Sequence, residues 1–185
     1  PLMVDSVGDM RNRPLTLHAT TETLDIIQAH IFNWAIWPDF SEIPNAQKPF
    51  LRYQTLSEGQ ELNLDGRHIT VLPANHSVPA VGYALNGGRA TLAFTGDTTT
   101  CDDLWRAVNS LPDLRYLIVE AAFSNREKKL AMISKHLCPS MLAEELLKLE
   151  SRPEIFITHM KPGQIELTMQ EIEECLGNLR PRVLQ

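Results

Sequence analysis

Ala90-Thr91-Leu92-Ala93-Phe94-Thr95-Gly96-Asp97-Thr98 is an apolar run that breaks at a glycine and delivers an acid. It reads as a buried strand with a turn at its carboxyl end, and Gly96 permits close backbone approach there. Three other stretches share the pattern: Ile69-Thr70-Val71-Leu72 is followed shortly by Asn75-His76, Leu117-Ile118-Val119 ends at Glu120, and Ile155-Phe156-Ile157-Thr158 ends at His159. Side chains at strand ends are held by a rigid sheet yet open into loops, where sites are commonly built. Two imidazoles and a carboxylate, His76, His159 and Asp97, suit a divalent transition metal. The alternative is that each is a cap or turn residue.

Outward from this stretch the chain is first strand-rich. Phe50 to Thr55, Glu61 to Leu64, His68 to Leu72, Ala80 to Leu85 and Ala90 to Thr95 are short runs separated by turn residues, and together they predict an antiparallel meander. Asp65-Gly66 and Asn86-Gly87 suit hairpins because they tolerate positive φ. The C-terminal half then alternates. Helices are predicted over Asp102 to Asn109 and Pro139 to Leu149, and strands over Tyr116 to Val119 and Glu154 to Thr158. A last helix is expected to start at a capping box, Thr168 to Glu171, and to end at Gly177. Upstream, Leu15 to His18 reads as a strand, Glu22 to Phe32 as a helix, and Asn33 to Phe40 as an aromatic-rich connection. The whole is an α/β (α+β) pattern, read as one domain over residues 1–185.

Composition agrees: 185 residues, 43% hydrophobic and 22% charged, can bury a core without disulfide staples. No apolar run is long enough to span a membrane, so no membrane partner is expected. The net charge of -6 argues against a broad nucleic-acid-binding face, and no stable nucleic-acid partner is expected. Cys101, Cys138 and Cys175 form no CxxC pair and read as reduced thiols. The chain begins at Pro1, which reads as processed, trimmed or incomplete; the compartment is therefore open, with the cytoplasm favoured and the periplasm the alternative.

Three segments in order carry a resemblance: Asn75-His76-Ser77-Val78-Pro79-Ala80-Val81-Gly82-Tyr83, Phe94-Thr95-Gly96-Asp97-Thr98 and Ile157-Thr158-His159-Met160-Lys161-Pro162. Together they resemble the metallo-β-lactamase fold, which implies an αββα sandwich. Val119-Glu120-Ala121-Ala122-Phe123 and Lys135-His136-Leu137 resemble its phosphodiesterase branch, which includes ribonuclease Z and the class II cyclic-nucleotide phosphodiesterases. Phe32 to Phe40 and His136-Leu137-Cys138-Pro139 resemble the cyclic-nucleotide group in particular. The family's His-x-His-x-Asp-His motif is absent. In the family it lies upstream of a segment like Leu2 to Met10, so the N-terminal part of the domain is expected to be missing from this chain. The alternative is a natural loss that leaves a vestigial, non-catalytic module.

The resemblance implies two divalent metal ions, Zn²⁺ first, with Mn²⁺ or Fe²⁺ as alternatives; this chain is expected to hold one or none. It implies Asp97 as the bridging ligand, with His76 and His159 completing one site each. It implies hydrolysis of a small cyclic nucleotide, cyclic AMP or cyclic GMP, to the 5′-monophosphate, with a ribonuclease Z-like nuclease as the enzymatic rival and a homodimer as the family's frequent assembly. His136 is the candidate acid, with Glu120 orienting it and keeping it protonated. The other reading of His136 is an exposed residue before the helix at Pro139. Lys161 is placed against a phosphate or, alternatively, in a solvated loop. Trp34, Trp37 and Phe40 wall a nucleobase pocket or pack in a core or subunit contact, Trp37 being the substrate-binding candidate. His18, His30 and His68 read as surface or packing residues, and Glu171, Glu173 and Glu174 as a solvated helix face.

Overall fold

A computed structural model describes residues 1–177 and 179–184, which divide into two units, Pro1–Ser57 and Glu58–Gln185. The first contains helix α1 (Leu2–Val7), strand β1 (Leu15–Ala19), helix α2 (Thr21–His30) and strand β2 (Leu51–Thr55). Helix α2 starts where the Thr20 hydroxyl accepts the Thr23 amide, an N-cap that satisfies one free donor of the first turn. Strands β1 and β2 pair in parallel from Leu15 against Leu51 to Ala19 against Thr55. Val4, Phe32, Phe40 and Leu51 are this unit's buried apolar residues in one cluster, with the Phe32 and Phe40 rings edge to face at 5.8 Å.

The second unit is built on a seven-stranded sheet: β3 (Glu61–Leu64), β4 (Arg67–Pro73), β5 (Val81–Asn86), β6 (Thr91–Phe94), β7 (Leu114–Glu120), β8 (Glu154–Thr158) and β9 (Arg182–Val183), in that spatial order. Pairs β3–β4, β4–β5 and β5–β6 are antiparallel; β6–β7, β7–β8 and β8–β9 are parallel. The β3–β4 hairpin turns on Asp65 and Gly66, both at positive φ (54° and 82°). The parallel strands are joined through α3 (Asp102–Asn109), then α4 (Lys128–Ser134) and α5 (Pro139–Leu146), then α6 (Ile165–Leu176). Leu117, Val119, Ile155 and Ile157 point from β7 and β8 into the core, where Leu104, Val108, Leu142 and Ile172 from the helices meet them. The result is a mixed α/β fold, as expected.

This topology decides where the chemistry collects. Because β5 runs antiparallel to both β4 and β6, strands β4, β6, β7 and β8 all run the same way. Their carboxyl ends therefore lie at one end of the sheet, the usual position for a site in an open α/β sheet.

Three local readings are corrected. Phe50 to Thr55 does not join the meander: its strand, β2, pairs in parallel with β1 in the first unit, where Leu51 is buried. The last helix does not begin at a Thr168 capping box. It starts a turn earlier at Ile165, Thr168 is buried, and Glu171 instead accepts the Asn125 amide at 2.7 Å. A tertiary contact thus claims the glutamate that local pattern had assigned to a cap. Helix α5 also stops at Leu146, short of Leu149, as the chain leaves through tight turns at Lys148 and Leu149. Gly177 ends α6 at positive φ, as the sequence indicated. Among the described residues no helix is long and apolar enough to cross a membrane.

Candidate active site

Asp97 sits just past β6, and two glycines let it get there. A Cβ at Gly82, on the neighbouring β5, would lie 2.6 Å from the Phe94 carbonyl oxygen and 2.7 Å from that of Thr95. Gly96 takes φ 64°, and a Cβ there would lie 3.0 Å from the Val81 carbonyl oxygen. The next residue, Thr98, is buried and stitches two loops together: its hydroxyl accepts the Asn75 amide at 3.0 Å, while the Thr99 amide donates to the Asn75 carbonyl at 2.9 Å. This fixes the His76 loop against the Asp97 loop.

Two further histidines arrive through left-handed backbone. Lys135, at φ 57°, ends α4 and turns the chain so that His136 enters the site; its carbonyl accepts from His76 Nδ1 at 3.1 Å. His159 itself has φ 65°, a conformation uncommon outside glycine that clusters at functional sites. The four side chains converge. Ligand atoms of His76, Asp97 and His136 all lie within 4.8 Å of one another. The rings of His76 and His136 are 4.7 Å apart, those of His136 and His159 5.0 Å, and His159 Nδ1 lies 2.5 Å from Asp97 Oδ1. Asp97 and His159 remain partly exposed, so the cluster is open to solvent and solutes.

Glu120 lies beneath the cluster with no exposed surface. Its Oε1 accepts the Thr98 amide at 3.2 Å and faces His136 Nδ1 at 2.8 Å; its Oε2 accepts the amides of Ala122 at 3.0 Å and Leu137 at 3.2 Å. In its ionised form Glu120 accepts at both oxygens, and Nδ1 then carries the His136 proton. Burial pushes the Glu120 carboxyl up to about 7, against the opposing pull of those amides and of His159. Burial also lowers His136, helped by the charges of His159 and Lys161 and opposed by Asp97. Glu120 faces His136 Nδ1 at 2.8 Å, a position from which a carboxylate can orient an imidazole.

The remaining candidates separate. Lys161 lies over the Phe123 ring, its Nζ 3.8 Å from the centroid. Trp37 belongs to the first unit, where it packs near Phe40 at 6.5 Å and lines an apolar groove of about 420 Å³ with Leu17, Ile31 and Leu51. His68 pairs with Glu61, and His30 is exposed on α2. Cys101, Cys138 and Cys175 are free thiols. Sequence reasoning assigned no role to Gly82, Thr98, Lys135 or Phe123, although each lies inside or beside a segment that it singled out.

Two imidazoles and one carboxylate at this spacing match the donor set that Zn²⁺, Mn²⁺ and Fe²⁺ accept. The chain is 25% identical over 181 residues to a probable 3′,5′-cyclic-nucleotide phosphodiesterase of Yersinia pestis, covering 85% of this chain and 52% of that protein. The chain thus spans about half the length of the curated relative it matches. Among solved structures it is similar to unliganded yeast PDE1, with a TM-score of 0.75 and 20% identity over 99% of this chain and 62% of that one. It is also similar to the metallo-beta-lactamase fold protein YhfI of Bacillus subtilis, with a TM-score of 0.69 and 15% identity over 99% of this chain and 68% of that one. The model of the beta-lactamase superfamily domain matches residues 4–176, and the chain belongs to that superfamily, with the metallo-β-lactamase fold.

Proposed function

We infer that the protein is a metal-dependent phosphodiesterase that hydrolyses a 3′,5′-cyclic nucleotide, cyclic AMP or cyclic GMP, to the 5′-monophosphate. The carrying observation is the convergence of four side chains on one spot: ligand atoms of His76, Asp97 and His136 lie within 4.8 Å of one another, and His159 Nδ1 lies 2.5 Å from Asp97 Oδ1. The likeness to the Yersinia pestis relative supports the choice of substrate. In this reading His76, Asp97 and His159 would hold divalent metal. Bound metal would supply charge neutralisation at the phosphate and a water acidic enough to ionise near neutral pH.

The chain's own residues do the rest. Glu120 fixes His136 through Nδ1 and leaves Nε2 as the working nitrogen. His136 would take the proton that the attacking water gives up and return it to the ribose 3′ oxygen as the P–O bond breaks. Lys161 contributes a positive charge for a non-bridging phosphate oxygen, so a chain of net charge -6 can still receive an anion.

The test is incubation of the full-length protein with 3′,5′-cyclic AMP or cyclic GMP, with and without a chelator, following the 5′-monophosphate by chromatography. Chelator-sensitive product that disappears in Asp97→Ala is the expected result. Metal-loaded protein that turns over neither nucleotide would overturn the cyclic-nucleotide reading.

A further inference from the structure

Phe123 is nearly buried on the loop that follows β7, three residues after Glu120. Its amide donates to the Leu137 carbonyl at 3.4 Å, which ties this loop to the segment carrying His136. The ring has two neighbours of consequence. The His136 imidazole lies 5.7 Å away, tilted by 57°, and the Lys161 ammonium sits 3.8 Å above the centroid. Among the described residues Lys161 makes no ion pair. Its position is therefore set by a π-face rather than by a carboxylate.

The distinction matters chemically. A carboxylate partner would hold the ammonium but neutralise it and occupy its N–H donors. An aromatic face attracts the cation through its quadrupole and carries no net charge. The donors that turn away from the ring stay free for an oxyanion. An unrestrained lysine has four rotatable bonds and would extend into water, losing rotamer freedom on each encounter with a ligand.

We propose that Phe123 is a positioning residue whose ring holds Lys161 beside His136, so that the ammonium is set to receive a non-bridging oxygen of a phosphate ester. The proposal rests on the phosphodiester reading above and extends it to a residue that touches neither metal nor substrate.

Two measurements on the full-length protein test it. The first needs no ligand: the Lys161 ε-methylene protons, over the ring, are shifted upfield by ring current, and Phe123→Leu removes the shift. The second is a double-mutant cycle read as the Kd of metal-loaded protein for 5′-AMP. Phe123→Leu is expected to weaken binding about two- to fivefold in the parent, the range of a surface cation–π contact, and not at all in a Lys161→Ala background. Phe123→Tyr, which keeps the ring, restores parental affinity. If Phe123→Leu fails to fold, Phe123→Met takes its place.

An equal loss in both backgrounds assigns Phe123 to packing and overturns the proposal, as does a missing ring-current shift. Parent protein that shows the shift but binds no 5′-AMP overturns the phosphodiester reading and the proposal with it.

Discussion

His136 Nδ1 lies 2.8 Å from Oε1 of Glu120, a carboxylate without exposed surface that also accepts three backbone amides. One side chain thereby joins the ends of β6 and β7 to the segment before α5 and sets the imidazole's tautomer. Glu120→Gln keeps the shape but turns one acceptor into a donor that faces two N–H groups. Leaving buried donors unsatisfied costs about 1–3 kcal/mol each, so a loss of about 3 kcal/mol is expected in urea unfolding. The proposed cyclic-nucleotide hydrolysis is expected to fall about 10- to 100-fold in the fraction that remains folded, the usual effect of removing an orienting partner. Activity that follows the folded fraction alone would make Glu120 purely structural.

Asp97 is the acid on which the metal reading turns. Asp97→Asn retains the side chain's size and removes its charge. Added Zn²⁺ is expected to raise the melting temperature of the parent, since a ligand at 100 times its Kd stabilises by about 2.7 kcal/mol, and to leave the variant unmoved. Chelator should reverse the shift in the parent. A variant that melts and binds metal like the parent would remove Asp97 from the ligand set.

The pattern of apolar runs ending in polar residues located His76, Asp97, Glu120 and His159 because strand ends are legible in sequence: alternation stops and a turn residue follows. It could not show that β4 runs with β6, β7 and β8, which is what brings those ends together; that depends on pairings between distant strands. His136 sits on no strand and was marked only through the family resemblance. Thr98 and Lys135 were invisible for another reason: their parts are played by a hydroxyl and a carbonyl toward distant loops, and neither interaction leaves a periodic trace. The misplaced start of α6 is the same effect in reverse, since Glu171 serves Asn125 rather than the local backbone.

Gly82 tests whether the site depends on strand spacing. A Cβ there would meet the carbonyl oxygens of Phe94 and Thr95 at 2.6 and 2.7 Å, and both are backbone atoms that cannot swing away. Gly82→Ala must therefore push β5 from the end of β6, just before Asp97. A destabilisation of about 1–3 kcal/mol is expected, in the range of overpacked cores, with metal affinity falling alongside it. Gly87→Ala, where nothing lies within 4 Å, is the matched control and should cost far less.

Tyr53 gives the first unit its own pH dependence. Its hydroxyl donates to Asp39 Oδ1 at 3.3 Å, and burial first, then the Asp39 charge and this hydrogen bond, raise the phenol well above its ordinary value. In the unfolded chain the phenol ionises at about 10. Below that pH both states hold the proton and stability is unaffected. Above it the unfolded state releases the proton while the folded state keeps it, so stability falls as pH rises. Tyr83, raised by burial in the second unit, adds a slope of the same sign, so the comparison must be with Tyr53→Phe rather than with a flat baseline. That variant loses one hydrogen bond, about 1 kcal/mol at neutral pH. It is expected to recover ground against the parent between about pH 9 and about pH 11, where the parent's phenol begins to cost it stability. Urea unfolding of both proteins across that range decides the matter: curves that stay parallel would mean that Tyr53 ionises alike in both states, and the Asp39 contact would then carry no pH dependence.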